Sequence, residues 1–223
     1  QWAEKMFACL ATTMVEVKAL PAMCEFVSLR AEAEMFEGLP LITLQGSPLY
    51  GWNLVIKRVL DVVGASAALV VFSPVLCAIA VLVKLTSPGP VFFRQLRMGL
   101  DGQAFEMLKF RSMKLDAESE TGPVWTQPND DRRTPIGAFL RRTSLDELPQ
   151  FWNVLRGEMS IVGPRPERPE FIARFRETLP QYMLRHKMKA GITGWAQING
   201  WRGNTSLERR IEHDLYYIEH WSI

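Results

Sequence analysis

Two adjacent carboxylates, Asp146 and Glu147, stand in the run Arg141-Arg142-Thr143-Ser144-Leu145-Asp146-Glu147-Leu148-Pro149-Gln150, behind two arginines and ahead of a helical pattern. Two readings fit. Ser144 and Glu147 match the S-x-x-E capping box, in which acids in a first turn simply answer the helix macrodipole. Pro149, however, falls too deep for a helix capped at Ser144, because an interior proline loses a hydrogen bond and clashes with the preceding turn. It suits a helix that begins near Pro149 and leaves both acids at its mouth. Free N–H groups at a helix mouth hold phosphate, and a carboxylate there can attack phosphorus once neighbouring cations suppress the repulsion.

Such cations are present. Arg132, Arg133, Arg141 and Arg142 precede the pair with no acid between Arg132 and Arg142, and Arg156 and Arg165 follow it. Guanidinium forks suit phosphate oxygens. In Gly163-Pro164-Arg165-Pro166 two prolines restrict the backbone around one guanidinium, so Arg165 loses less entropy on gripping an anion; the plainer alternative is a surface arginine in a Pro-rich turn. Lys109-Phe110-Arg111-Ser112-Met113 puts Lys109 and Arg111 on one strand face, as a phosphate site or a solvated edge would. The stretch from Gly191 to Gly200 mixes turns with Trp195 and two amides, as in a nucleotide or sugar pocket, or as in a loop over a core tryptophan. Asp214 lies between His213 and the pair Tyr216 and Tyr217, but no serine or cysteine elbow accompanies it, so hydroxyl-nucleophile catalysis has no support.

Several classes drop out. Neither G-x-x-x-x-G-K-[ST] nor G-x-G-x-x-G occurs, which removes the P-loop ATPases and dinucleotide oxidoreductases. Lys plus Arg at 26 against Asp plus Glu at 24 leaves a net charge of +2, and no zinc-finger or RRM signature appears, so nucleic acid is not an expected partner. Cys9, Cys24 and Cys77 form neither a CxxC pair nor an even framework, and read as reduced spectators. With 223 residues, 48% hydrophobic and 22% charged, the chain buries a core and disorder is excluded.

The elements that must position these residues begin with an apolar segment. From Val62 to Val83 no residue is charged, a run of 22 against the roughly 20 that cross a bilayer as a helix. Lys57 and Arg58 precede it and Lys84, Arg94 and Arg97 follow it, so both flanks carry the basic signature of the cytoplasmic side. Ser73-Pro74 sits near the middle, where proline removes a backbone donor and the serine hydroxyl can serve a nearby carbonyl. A helix that enters, bends and returns fits both facts; a spanning helix and a buried core helix stay open. Beyond it, Val91 to Phe93 and Phe105 to Leu108 are strand-like and joined through Gly99 and Gly102, predicting a hairpin. Phe139-Leu140, Phe151 to Leu155 and Phe171 to Phe175 are helical, with Gly157 a stop for the second. Residues 1–46 read as a helix around Trp2 to Leu10, a strand at Val15 to Ala19, an intervening segment and a strand at Leu39 to Leu44. That is too little to cover a sheet, so they are expected to be the end of a larger α/β domain. The chain opens at Gln1 with no basic-then-apolar leader, so a fragment is expected and export is not.

On these residues the sequence resembles the bacterial sugar transferase family, the monotopic polyprenyl-phosphate glycosyl-1-phosphate transferases that start exopolysaccharide and O-antigen synthesis. The resemblance runs from about Trp52 to Ile223. It rests on Lys57-Arg58-Val59-Leu60-Asp61, Ser73-Pro74, Ser87-Pro88-Gly89-Pro90-Val91-Phe92, Lys109 to Met113, Thr143 to Gln150, Trp152-Asn153-Val154, Gly163 to Pro166 and Gly191 to Gln197, all in order. Asp131, Arg133 and Ala190 depart from the family pattern; Asp146 and Glu147 do not. The resemblance implies an α+β fold: a linker at 47–53, a re-entrant membrane helix hairpin at 54–86, and a small cytoplasmic catalytic domain at 87–223 with amphipathic helices and a short β-hairpin, preceded by a remnant of an α/β domain at 1–46.

It also implies a ping-pong reaction at the cytoplasmic face of the bacterial inner membrane. Asp146 attacks the β-phosphate of a UDP-sugar, UMP leaves, and undecaprenyl phosphate takes the hexose-1-phosphate from the aspartyl intermediate. Mg²⁺ is the implied cofactor, with Asp146 and Glu147 at the metal and Glu147 as the partner acid. Arg165 and Arg141 are the implied phosphate ligands, with Lys109, Arg111 and Asp214 as further substrate contacts and Ser73 and Pro74 as the membrane kink. The lipid bilayer is the remaining partner, and a homo-oligomer stays open. The rival reading is a non-catalytic membrane-anchored module that holds anionic lipid on its basic clusters.

Overall fold

The computed structural model describes residues 18–19, 32–36, 39–43, 49, 51–115, 117, 131–203 and 205–222. Toward the N-terminus, β1 (Lys18–Ala19), β2 (Glu32–Phe36) and β3 (Leu39–Thr43) form an antiparallel sheet of order β1-β3-β2. Strand β2 is unforeseen. It falls in the intervening segment and pairs from Glu32 against Thr43 to Phe36 against Leu39. The helix expected around Trp2 to Leu10 and residues 47, 48 and 50 of the linker lie outside the described residues.

Two helices follow, α1 (Trp52–Val71) and α2 (Ser73–Thr86). The chain turns by 61° between them. The cause is local: Pro74 occupies the first turn of α2 and cannot donate to the turn before it. The freed Val70 carbonyl accepts from Ser73 Oγ at 2.8 Å. Among the described residues no single helix is long and apolar enough to cross a membrane, whereas the bent pair α1 and α2 together reaches that length and apolar composition. Trp52, Val63, Val70, Val71, Phe72, Val81 and Leu85 leave their apolar side chains exposed along the pair.

Both arms are tied to one body. Lys57 Nζ donates to Asp61 at 2.7 Å and also to Ser160 Oγ, while Asp61 accepts from the Ile161 N–H at 3.0 Å. Arg58 donates to the Val154 and Leu155 carbonyls at 2.6 and 2.7 Å, satisfying orphan carbonyls at the end of a short helix. Ala65 is fully buried there, against Phe105, Met107, Val154, Met159 and Ala190. On the other arm Ile79 and Val83 pack with Phe110 and Leu140.

The expected hairpin is present and longer than predicted. β4 (Phe92–Met98) pairs antiparallel with β5 (Ala104–Phe110) from Phe92 opposite Phe110 to Met98 opposite Ala104. Helix α3 (Gly137–Thr143), a 3₁₀ turn at Leu145–Glu147 and α4 (Gln150–Arg156) follow. Gly157, at φ +86°, ends α4 as anticipated. Then come β6 (Ser160–Val162), α5 (Pro169–Thr178), a 3₁₀ segment at Pro180–Lys187, β7 (Gly191–Thr193), α6 (Trp195–Ile198) and α7 (Leu207–Glu219), with β6 and β7 parallel. Helix α7 lays Ile211, Leu215 and Ile218 on Ile172, Tyr182, Leu184 and Met188. The fold is α+β, small sheets among short helices.

Candidate active site

Ser144 sits at φ +57°, in the left-handed region that ends α3 and reverses the chain. The 3₁₀ turn that follows, closed by Glu147 N–H to the Ser144 carbonyl at 3.1 Å, carries Asp146 and Glu147. Helix α4 starts after Pro149, as the proline position predicts, so both acids precede it. The capping-box alternative does not form: Ser144 Oγ accepts from Arg202 at 3.0 Å, and Glu147 turns toward cations. Nor does the helix mouth supply the positive field, since α4 is only two turns long. Side chains supply it.

Glu147 accepts from Lys109 Nζ at 3.0 Å and from both terminal nitrogens of Arg165 at 2.6 and 3.2 Å, with Arg202 3.7 Å away. Burial works against its charge, but Lys109 and Arg165 outweigh it and hold the carboxyl well below the usual glutamate range. Asp146, equally buried, accepts no hydrogen bond from the described residues. Burial lifts its carboxyl above the usual aspartate range, with Glu147 pushing the same way and Lys109, Arg141 and Arg165 pulling back. Two neighbouring carboxyls are thus driven apart, one fixed as an anion in a cationic clasp, the other without a hydrogen-bond donor among the described residues. Lys109 is itself brought down to about 8 by burial, with Glu147 holding it up.

Asp146 opens on a cavity of about 620 Å³, in the range of ligand sites. Among the described residues nine basic side chains line it, Arg97, Lys109, Arg111, Lys114, Arg141, Arg165, Arg168, Arg202 and Arg210, against three carboxylates, Asp146, Glu147 and Glu167. This excess suits a ligand with several phosphate charges. Phe93 and Phe171 add apolar wall.

Of the residues singled out in sequence, Asp146, Glu147, Arg165, Arg141 and Lys109 converge here. Arg141 is set by its Nε donating to Ser112 Oγ at 2.9 Å. Arg111 reaches the wall, but its guanidinium is committed to the Pro88 and Ser87 carbonyls at 2.8 and 2.6 Å, which ties the end of β5 to the segment leaving α2. Asp214 lies outside the cavity, 1% exposed, paired with Arg185 at 2.6 Å; its position on the buried face of amphipathic α7 takes it inward. The stretch from Gly191 to Gly200 does not line the cavity either. It supports it from behind: an added Cβ on Gly163 would lie 2.3 Å from the Lys189 carbonyl oxygen, and one on Gly191 2.1 Å from Gly163 N, so only glycine allows the two backbones so close. Arg97, Arg202, Glu167 and Arg210 were missed. The sequence signal was the run Arg165-Pro166-Glu167-Arg168, which continues the charge pattern past the second proline.

Among the described residues no three His, Cys, Asp or Glu side chains converge as a metal cage. Mg²⁺ is commonly held by one or two carboxylates together with substrate phosphates, and the unengaged oxygens of Asp146 fit that arrangement. Those of Glu147 are already occupied by Lys109 and Arg165.

A strongly basic cavity built on a carboxylate pair, beside an exposed apolar helix pair, defines a class of proteins suited to ligands with several phosphate charges. The chain belongs to the bacterial sugar transferase family, whose model matches residues 52–223. It is 50% identical over 99% of its length to a UDP-glucose:undecaprenyl-phosphate glucose-1-phosphate transferase of Escherichia coli (strain K12), and covers 48% of that protein. It is 48% identical to the like-named protein of Klebsiella pneumoniae, with the same coverage of each chain, 99% and 48%. A UDP-N-acetylgalactosamine-undecaprenyl-phosphate N-acetylgalactosaminephosphotransferase of Aeromonas hydrophila is 40% identical over 100% of this chain and 52% of its own length. The chain therefore spans about half the length of these relatives.

Proposed function

We propose that this chain is the catalytic part of a polyprenyl-phosphate glycosyl-1-phosphate transferase, moving a hexose-1-phosphate from a UDP-sugar to undecaprenyl phosphate at the cytoplasmic face of the bacterial inner membrane. The observation that carries this reading is Asp146: a buried carboxylate that accepts no hydrogen bond from the described residues, in the wall of a strongly basic cavity. The relatives' names supply the substrate class, and glucose is the first sugar to test.

An Asp146 oxygen attacks the β-phosphorus of the UDP-sugar. The bond from that phosphorus to the bridging oxygen breaks, and UMP leaves with the electron pair. Asp146 then carries the phosphosugar as an acyl phosphate. A phosphate oxygen of undecaprenyl phosphate attacks the same phosphorus, the acyl–oxygen-to-phosphorus bond breaks, and the Asp146 carboxylate is restored. Arg165, Arg141 and Arg202 face the phosphoryl oxygens, where a fixed guanidinium stabilises charge without reorganising. Glu147 keeps Lys109 and Arg165 in place. Mg²⁺, held by Asp146 and the substrate phosphates, would neutralise the diphosphate and the departing UMP.

The bent pair α1–α2 supports a re-entrant membrane seat. Lys57 is fixed to β6 and Arg58 to α4, Ile79 and Val83 of the second arm pack on Phe110 and Leu140, and Val70, Val71 and Phe72 at the bend between these attachments are exposed. Such a segment enters and leaves one leaflet.

UMP release from a panel of UDP-sugars, with undecaprenyl phosphate and Mg²⁺, tests the reading, together with mass spectrometry of the peptide that contains Asp146. The expected result is UMP from one sugar nucleotide, a hexose-phosphate adduct on Asp146 before acceptor is added, and neither in Asp146→Asn. UMP release that survives in Asp146→Asn refutes the assignment.

A further inference from the structure

Arg165 is held from below as well as from the front. Every main-chain carbonyl from Pro164 to Glu167 accepts a hydrogen bond: Pro164 from the Gly191 N–H at 2.9 Å, Arg165 from Arg185 Nη2 at 2.9 Å, Pro166 from Arg97 Nη1 at 3.2 Å, and Glu167 from the Met98 N–H at 3.0 Å. Two of these four donors are backbone and fixed by strands. The Arg97 guanidinium sits in the cavity wall. Arg185 is different: it is 1% exposed, lies outside the cavity and reaches the site only through the Arg165 main chain. The same Nη2 that donates to the Arg165 carbonyl also donates to Asp214 at 2.6 Å, and Nη1 donates to the Tyr182 hydroxyl at 3.2 Å.

A fully buried arginine carries a large desolvation penalty, and a buried ion pair is weak evidence of stabilisation, since an apolar pair of similar volume often does as well. Stability alone therefore gives Arg185 and Asp214 little reason to be charged here. Aiming does. A guanidinium is a rigid planar donor, and a carboxylate that takes one hydrogen of Nη2 fixes the plane in which the other hydrogen meets the Arg165 carbonyl. The plane of Arg185 sets the height of the Arg165 main chain, and with it the fork that meets Glu147 and the cavity.

We infer that Asp214 and Arg185 are a positioning pair for the transfer step: Asp214 orients Arg185, and Arg185 holds the backbone of Arg165 so that its guanidinium meets the phosphoryl group in register. The inference rests on the transferase reading. It assigns Asp214 an action through two other residues in place of substrate contact.

The test is a double-mutant cycle on single-turnover UMP release by the full chain. Asp214→Asn is expected to lower the rate by about 10²-fold, the effect of a displacement on the order of 1 Å in a positioned group, with KM for the UDP-sugar nearly unchanged. In an Arg165→Ala background the same Asp214→Asn change is expected to lower the rate no further. Equal losses in both backgrounds, or no loss in either, overturn the inference. A second variant guards against misfolding: Arg185→Met with Asp214→Leu removes both buried charges and is expected to keep the melting temperature while losing the rate. Keeping both overturns the inference. A wild-type chain that releases no UMP from any sugar nucleotide refutes the transferase reading itself, whereas an active wild type with additive losses refutes only the positioning role.

Discussion

Replacing Glu147 by Gln removes one charge from the middle of a cationic clasp and leaves its shape intact. Lys109 and Arg165, with side chains 16% and 23% exposed, then face a neutral amide in place of an anion 8% exposed. Breaking a buried pair by removing one partner costs on the order of 3–5 kcal/mol, and the glutamine oxygen still accepts one hydrogen bond, so the lower end, roughly 3 kcal/mol, applies. For a chain of this size that is a fall in Tm of roughly 6–12 °C. The difference must depend on pH. The Glu147 carboxyl is held below its ordinary value of 4.5, so the stability it contributes is complete above that value and is lost as pH falls toward the folded value. Thermal melts of both proteins in detergent, from pH 7 down to pH 3, should show the gap widest at neutral pH and closing in acid. Lys109, now held at about 8 by burial with Glu147 as its leading support, should drop further and become the more reactive amine toward acylating reagents at pH 7. An equal melting temperature at pH 7, or a gap that persists unchanged into acid, would refute the clasp as the source of the effect.

Asp146→Asn should abolish UMP release while raising Tm at pH 8, because burial lifts the Asp146 carboxyl, so the folded chain disfavours its charged form; the gain should vanish below the ordinary aspartate value of 3.8. Asp61→Ala removes the acceptor of Lys57 and of the Ile161 N–H and should cost about 3–5 kcal/mol, read as loss of folded protein on extraction. Gly163→Ala forces a methyl to within 2.3 Å of the Lys189 carbonyl oxygen and should destabilise by about 1–3 kcal/mol, with loss of activity as Arg165 shifts. Single cysteines at Trp52 and Thr86, in a chain otherwise free of cysteine, should both react with an impermeant thiol reagent in inside-out vesicles and neither in intact spheroplasts; a split result would establish a spanning helix.

The parts of the molecule legible in sequence are those that a local rule decides. Pro149 dates the start of α4, Gly157 its end, and Ser73-Pro74 the bend, because each acts within one turn of itself. The short strand-like runs at Val91 to Phe93 and Phe105 to Leu108, joined through Gly99 and Gly102, reveal the hairpin, but Arg94 and Arg97 interrupt the apolar pattern and hide its true length. Lys57 and Arg58 read as flanking charges of an apolar segment; their actual partners are about a hundred residues away, at Ser160 and at the carbonyls of Val154 and Leu155. Distance also explains the site. Asp146 and Arg165 announce themselves by type and setting, whereas Arg202 and Arg97 are ordinary arginines until the fold delivers them to the same wall. Asp214 misleads for the opposite reason: an acid among aromatics on an amphipathic helix looks like a site residue, and the moment of α7 turns it into the core.

The two attachments of the bent helix pair have a mechanical consequence. One arm is bolted through Arg58 to the very helix that begins beside Asp146, the other packs through Ile79 and Val83 on Phe110, next to Lys109. Among the described residues both arms of the wedge are packed on the body that carries the reacting centre. On the proposed membrane seat the wedge would act as a depth gauge, the height of the carboxylate above the lipid being set by how far the exposed side chains at the bend sink.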